Sequence, residues 1–156
     1  MSFVSTQGSI GNVRHLWTIF IGSFGFSMAG ALLAEHFLSK RIALLGSWVG
    51  VQRTYNTGVA FGVHIPSPLQ ELLILLALLF VLYIAFHSEK TWVNAWGFGL
   101  ILGGGLANTV DRLLDVQVTD FIQVGSFPIF NVADSCITLG VALLCLHALL
   151  AKQHYS

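Results

Sequence analysis

The sequence predicts an all-α membrane protein, a four-transmembrane-helix bundle built as a single domain over residues 1–156. Three observations carry that reading. Of the 156 residues, 55% are hydrophobic and only 9% charged, where soluble domains carry roughly 25% charged residues. Mean hydropathy is +0.79. The apolar residues gather in runs near the length of about 20 that a bilayer-crossing helix needs, with polar residues collected between them. Seven Lys plus Arg balance seven Asp plus Glu, so there is neither a basic surface suited to nucleic acid nor an acidic tail.

The first span covers residues 16–34, without a charge until Glu35. No small-residue cleavage site follows it, so it reads as a retained helix and not a removed leader. Residues 69–86, with the run LLILLALLFVLYIAF, form the second span. The third, residues 91–110, is uncharged and places Gly99 and Gly103 at the spacing that lets helices approach closely in lipid. Residues 135–151 form the fourth. Cys136 and Cys145 both fall there, roughly 13 Å apart along a helix axis, too far to bridge, and read as small apolar residues.

An even number of spans puts both termini on one side and both long connectors, residues 40–68 and 111–134, on the other. The first connector is rich in β-branched residues and carries Gly46, Gly50, Gly58 and Gly62, the marks of short strands and turns. Open strand edges cannot face lipid, so this piece belongs at the interface. Lys and Arg are close to balanced between the sides, with Arg14, Lys90 and Lys152 against Lys40, Arg41, Arg53 and Arg112. Charge alone therefore does not orient the chain.

Polar residues concentrate where the third span ends and the fourth begins. Asn108 with Asp111, and Asn131 with Asp134, repeat the pattern Asn-x-x-Asp. Helical neighbours three apart share a face, so each Asn is expected beside its own Asp. Asp115 and Asp120 add two more carboxylates to the same boundary. A structural reading exists: Asn131 as a helix N-cap, with Asp134 in the first turn favouring the helix dipole. Yet ionisable residues at membrane depth are usually functional. Two aspartates sharing a proton can activate water and protonate a carbonyl without a metal or other cofactor. Zinc and serine schemes lack their residues: there is no H-E-x-x-H and no G-x-S-x-G.

Four motifs, NTGVAFG at 56–62, GGGLANTVDRL at 103–113, VTDFI at 118–122 and FPIFNVADSCITLG at 127–140, resemble those of the lipoprotein signal peptidases, or signal peptidase II, in residues, order and spacing. The resemblance covers roughly residues 51–140. It implies an aspartic endopeptidase of the bacterial cytoplasmic (inner) membrane that removes signal peptides from diacylglyceryl-modified prolipoproteins, cutting before the lipidated cysteine. By the same motifs it implies Asp120 and Asp134 as catalytic aspartates. Asn56, Gly58, Asn108, Arg112 and Asn131 fall at supporting or substrate-binding polar positions, with Asp111 as a supporting acid. It also implies cytoplasmic termini, an active site near the outer face, a small extracytoplasmic β-cradle from the first connector and a surface-lying helix segment from the third. Globomycin-type inhibitors and membrane lipid are the other implied ligands, and the enzyme is expected to act as a monomer.

The chain departs from the family pattern at the end of span one. Relatives carry Asp-Gln-x-Ser/Thr-Lys there; in AEHFLSKRI, Ser39 and the supporting Lys40 match, but His36 stands at the aspartate position and Glu35 one residue earlier. The stretch from Lys40 to Asn56 and the loop between the two aspartates are short, and Ala107 replaces a usual glycine. Two other readings compete. A small ion-coupled transporter would place acids near the bilayer midplane and use paired discontinuous helices, whereas these acids lie at span ends. A silent homologue would bind lipidated peptides without turnover.

Overall fold

In a computed structural model, which describes residues 7–58, 65–66 and 68–153, four helices and one small sheet alternate along the chain. The order is α1 (Gln7–Phe37), β1 (Ile42–Leu45), β2 (Val49–Asn56), α2 (Leu69–His87), α3 (Trp92–Asp115), β3 (Val118–Val124) and α4 (Val132–Gln153). Among the described residues, three stretches are long and apolar enough to cross a membrane: Val13–Phe37, Leu69–His87 and Val132–Ala151. These contain or match the first, second and fourth predicted spans. On α2 only Gln70 and Ala85 are buried, while leucines at 72, 73, 75, 76 and 79 are exposed. A helix apolar all round in this way is suited to lipid.

The central element is α3, 24 residues long, against which α1, α2 and α4 all pack. It is the least apolar of the predicted spans because glycine takes the place of large side chains. Successive positions on a helix differ by about 100°, and three consecutive glycines meet three different neighbours. A methyl group at Gly103 would strike Ser23 and the Phe20 carbonyl of α1; at Gly104, the Ala133 carbonyl of α4 at 2.5 Å; at Gly105, the Leu78 side chain of α2 at 2.5 Å. The close α1 seam also lets the Ser23 hydroxyl donate to the Gly99 carbonyl at 3.2 Å. Thr91 caps the start of α3, its side chain accepting the Asn94 N–H. At the other end Val116 takes a left-handed conformation, φ 63°, a position usually given to glycine.

The three strands form one antiparallel sheet in the order β1–β2–β3. Thr54 pairs with Asp120 and Asn56 with Val118, so Asn56 and Asp120 share a face. After β3 the chain turns at Gly125, φ 55°, whose N–H donates to the Trp48 carbonyl at 2.6 Å. Phe130 then returns to bridge Ile122, which delivers the chain to the start of α4.

Two expectations need correction. Residues 116–131 contain no surface-lying helix; β3 and its turn occupy that connector. The β-branched, alternating sequence VTDFIQV finds a partner in β2, and the connector is too short for a helix besides. The boundaries also move: α3 runs on to Asp115 and α4 begins at Val132, so Asp111, Arg112 and Asp134 are helical residues rather than connector residues.

Candidate active site

Asp120 lies on β3 and Asp134 in the first turn of α4, and Asn131 touches both. The Asn131 Nδ2 donates to Asp120 Oδ1 at 2.9 Å and to Asn108 Oδ1 at 3.0 Å. Its backbone N–H donates to Asp134 Oδ2 at 3.2 Å, and its Oδ1 accepts the Asp134 N–H at 2.9 Å. That reciprocal pair is a capping box built from Asn and Asp. The helix-cap reading and the site reading of these residues are therefore both satisfied by one geometry: capping α4 is what fixes the Asp134 carboxylate.

Two further amides complete the cluster. Asn108 Nδ2 donates to Asp134 Oδ1 at 2.8 Å, and Asn56 Nδ2 donates to Asp120 Oδ2 at 3.0 Å. Each carboxylate thus accepts two hydrogen bonds from neutral donors, and no hydrogen bond joins the aspartates directly. Asn56 is itself held because its Oδ1 accepts the Gly58 N–H at 3.0 Å. Asp120 is 3% exposed. Burial pushes its carboxyl up to about 6; the Asn56 bond opposes this, Asp134 adds to it, and Asn131 and Arg112 oppose it.

Arg112 is buried but forms no ion pair among the described residues. Its nitrogens fasten carbonyls instead: Gly58 at 2.8 Å and Asn108 at 3.2 Å. The Gln70 amide, oriented with its oxygen to Arg112 Nε and its nitrogen to the Ile65 carbonyl, both at 3.0 Å, gives the guanidinium a third acceptor. Arg112 therefore ties the Asn56–Gly58 turn to α3 and α2, with its charge acting on the aspartates at longer range.

The other sequence candidates divide. Asp111 is buried but turns away, accepting the Thr119 N–H at 2.7 Å and so clipping β3 to α3. Asn108 reaches across to Asp134 and not to Asp111, so the Asn-x-x-Asp pairing expected within α3 does not form. Asp115 is exposed at the end of α3 and stays outside the cluster. Lys40 is exposed after α1 and has no hydrogen bond to the cluster among the described residues. Glu35 bonds Arg53 and Tyr55, on the far face of β2 from Asn56.

Both aspartates open onto a cavity of about 800 Å³, within the size range of ligand sites. Its walls are Ile74 of α2, Gly105 of α3, and Ile137, Thr138 and Leu139 of α4; residues 127–130 form one rim. α2 and α4 both pack on α3 and barely touch each other, so the cavity occupies the gap between them. Its shape is amphiphilic, with an apolar trough ending at two carboxylates, the amides of Asn56 and Asn108, and Arg112.

Residues 24–150 match the family model described as signal peptidase (SPase) II. The chain belongs to the signal peptidase II family. The lipoprotein signal peptidase of Chlorobium phaeobacteroides (strain BS1) is 39% identical over 120 residues, covering 67% of this chain and 75% of that protein. That of Chlorobaculum parvum is 35% identical over 143 residues, covering 83% and 89%. A bacterial membrane enzyme solved in meso at 2.3 Å shares the fold with a TM-score of 0.78 at 21% identity, covering 90% of this chain and 91% of that one. A second, solved at 1.9 Å, gives 0.74 at 24% identity, covering 86% and 92%. With its three apolar helices, this signal peptidase II family member is a multi-pass membrane protein, and its family is one of peptidases.

One residue of the site escaped the sequence reading of this family member. Gln70 is 3% exposed, beside Arg112 and the Ile65 carbonyl. Its signal was available: an amide placed in the first turn of a leucine-rich span, where a polar group needs a partner.

Proposed function

We propose that this protein is an intramembrane aspartic endopeptidase that removes the signal peptide from diacylglyceryl-modified prolipoproteins. The observation that carries the proposal is the Asp120–Asn131–Asp134 arrangement at the polar end of an apolar cavity. The diacylglycerol lies along the trough between α2 and α4, and the scissile peptide bond before the lipidated cysteine reaches the two carboxylates. Apolar anchoring then supplies most of the binding, and few side chains of the peptide need to be read.

In this mechanism the aspartates share one proton between them. The ionised partner takes a proton from a water as its oxygen adds to the carbonyl carbon; the protonated partner gives its proton to the carbonyl oxygen. Collapse of the tetrahedral intermediate breaks the C–N bond, and the departing nitrogen is protonated by the pair. The water's oxygen ends in the new carboxyl group of the signal peptide, and its two hydrogens are accounted for by the two new termini. Asn56, Asn108 and Asn131 orient the carboxylates as neutral donors, which position charge without cancelling it. Arg112 holds the Asn56–Gly58 turn in place.

In this reading α3 also crosses the membrane, as the third of four spans. Its glycines are tolerated because the three neighbouring helices shield it from lipid. Both termini lie in the cytoplasm of a bacterial cell, and the sheet and dyad stand at the outer face of the inner membrane. Globomycin-type cyclic peptides fill the same cavity. Purified protein in lipid nanodiscs tests the proposal with two peptides differing only in the diacylglyceryl group. Mass spectrometry is expected to find cleavage before the modified cysteine, blocked by globomycin, and none of the unmodified peptide. Equal cleavage of both would contradict it.

A further inference from the structure

We infer that Glu35, near the end of α1, is a positioning residue for the dyad: through Arg53 and Tyr55 it fixes the end of β2, and through Asn56 on that strand the carboxylate of Asp120. This rests on the aspartic reading above and adds a residue outside the cluster to it.

Residues two apart on a strand project to the same face, so Arg53 and Tyr55 face α1 while Thr54 and Asn56 face the other way. The Glu35 carboxylate accepts from Arg53 Nη1 at 3.0 Å and from the Tyr55 hydroxyl at 2.9 and 3.1 Å. Arg53 Nη1 also donates to the Glu35 main-chain carbonyl at 2.6 Å, one of the α1 carbonyls left without an intrahelical partner. The guanidinium lies 5.5 Å from the Tyr55 ring centroid. Glu35 is thus gripped by side chain and backbone, in the one ion pair found among the described residues.

Where the grip sits matters. The β2–β3 register is irregular between Val51 and Thr54, so the ladder is locally disrupted at residues 52 and 53, immediately before the segment that pairs Thr54 to Asn56 with β3. The clamp acts at 53, within that irregularity, and at 55, next to Asn56. From Asn56 the chain of contacts continues to Asp120 Oδ2 at 3.0 Å. The Arg53 and Glu35 side chains are 30% and 46% exposed, and ion pairs so placed contribute little to stability. Positioning the strand end is the role left to them.

The consequence is measurable at Asp120. The charged groups facing it are Asp134 on α4 and Arg112 on α3, and the neutral donors are Asn56 and Asn131. The Asn56 bond favours the ionised carboxylate. Loosening it raises the proton affinity of Asp120, so the acidic limb of the kcat/KM profile moves to higher pH.

The full-length protein in nanodiscs, with a diacylglyceryl-modified peptide, provides the test. Glu35→Ala is expected to lower kcat about tenfold, leave KM within about twofold, and shift the acidic limb upward. Asn56→Ala is expected to shift it further in the same direction. Glu35→Gln, which still accepts from Tyr55, should recover part of the loss, and Tyr55→Phe supplies a second, milder break if Glu35→Ala does not fold. A Glu35→Ala enzyme with wild-type kcat and limb overturns the inference, as does a loss of activity that follows the melting temperature with the limb unmoved. If wild-type protein does not cleave, the aspartic reading itself has failed.

Discussion

The two halves of α3 do opposite work. From Gly97 to Gly105 five of its nine residues are glycine, so that α1, α2 and α4 can approach it closely. From Asn108 to Arg112 it carries an amide, an acid and a guanidinium, each buried or half-buried and each bonded to a different element. The first half gains contact by removing atoms; the second organises a polar site by adding them. One lesson follows from the pair. The glycine half brings α1, α2 and α4 close to α3, and the polar half then links α3 to α4, β3 and the Asn56–Gly58 turn by hydrogen bonds.

The comparison breaks most severely at Asn131, where both functions meet. Asn131→Ala removes the α4 cap and the amide that joins the aspartates. Cleavage is expected to fall about 10²–10³-fold, with a stability loss of about 1–2 kcal/mol from the cap; denaturation and initial-rate measurements on one preparation separate the two. In the glycine half, Gly103→Ala forces α1 and α3 apart, because its methyl group meets the Phe20 carbonyl at 2.6 Å and the Phe24 nitrogen at 2.9 Å. A loss of about 2–3 kcal/mol is expected. Gly22→Ala, with open space around it, is the steric control in the same melting series and is expected to stabilise by about 0.5–1 kcal/mol.

The electrostatic burden of the polar end gives a third prediction. A carboxyl raised to about 6 in the fold, against about 3.8 unfolded, binds more protons folded than unfolded between those values. Stability from this group is therefore present below about pH 4 and declines as pH rises towards 6. Asp120→Asn removes that dependence. The stability of the variant relative to wild type is expected to grow by about 1–3 kcal/mol between pH 4 and 7, read from chemical denaturation across that range. The smallest effect lies at the junction of α3 with β3. Val116 holds φ 63° and is exposed, so Val116→Gly is expected to stabilise the protein by about 1 kcal/mol, seen as a higher melting temperature with unchanged cleavage.

Much of this was legible from the residues. Spans two and four were visible as apolar runs, the second reaching span length with Leu69 to Glu71 and the fourth interrupted only by His147, and the first connector's β-branched residues and glycines marked strands. Asn131 with Asp134 carried the spacing of a cap. Gly125 and Pro128 marked the turn that brings Asp120 back. What the spacing could not reveal was tertiary choice. Asn108 had an acid three residues away and took one on another helix, because Asp111 was claimed by the Thr119 N–H. Residues 118–124 became a strand instead of part of a surface helix because β2 offered an edge. Gln70 looked like the polar start of a span until Arg112 was placed beside it.

The most direct test of the central claim, that Asp120 and Asp134 act as a pair positioned by neutral amides, is single-turnover cleavage of a diacylglyceryl-modified peptide. Wild type, Asp120→Asn and Asp134→Asn would be compared, each with its own melting curve. The account predicts a loss of about 10³-fold or more in both variants, with Asp120→Asn melting no lower than wild type at pH 7. Either variant retaining activity within about tenfold of wild type would contradict it.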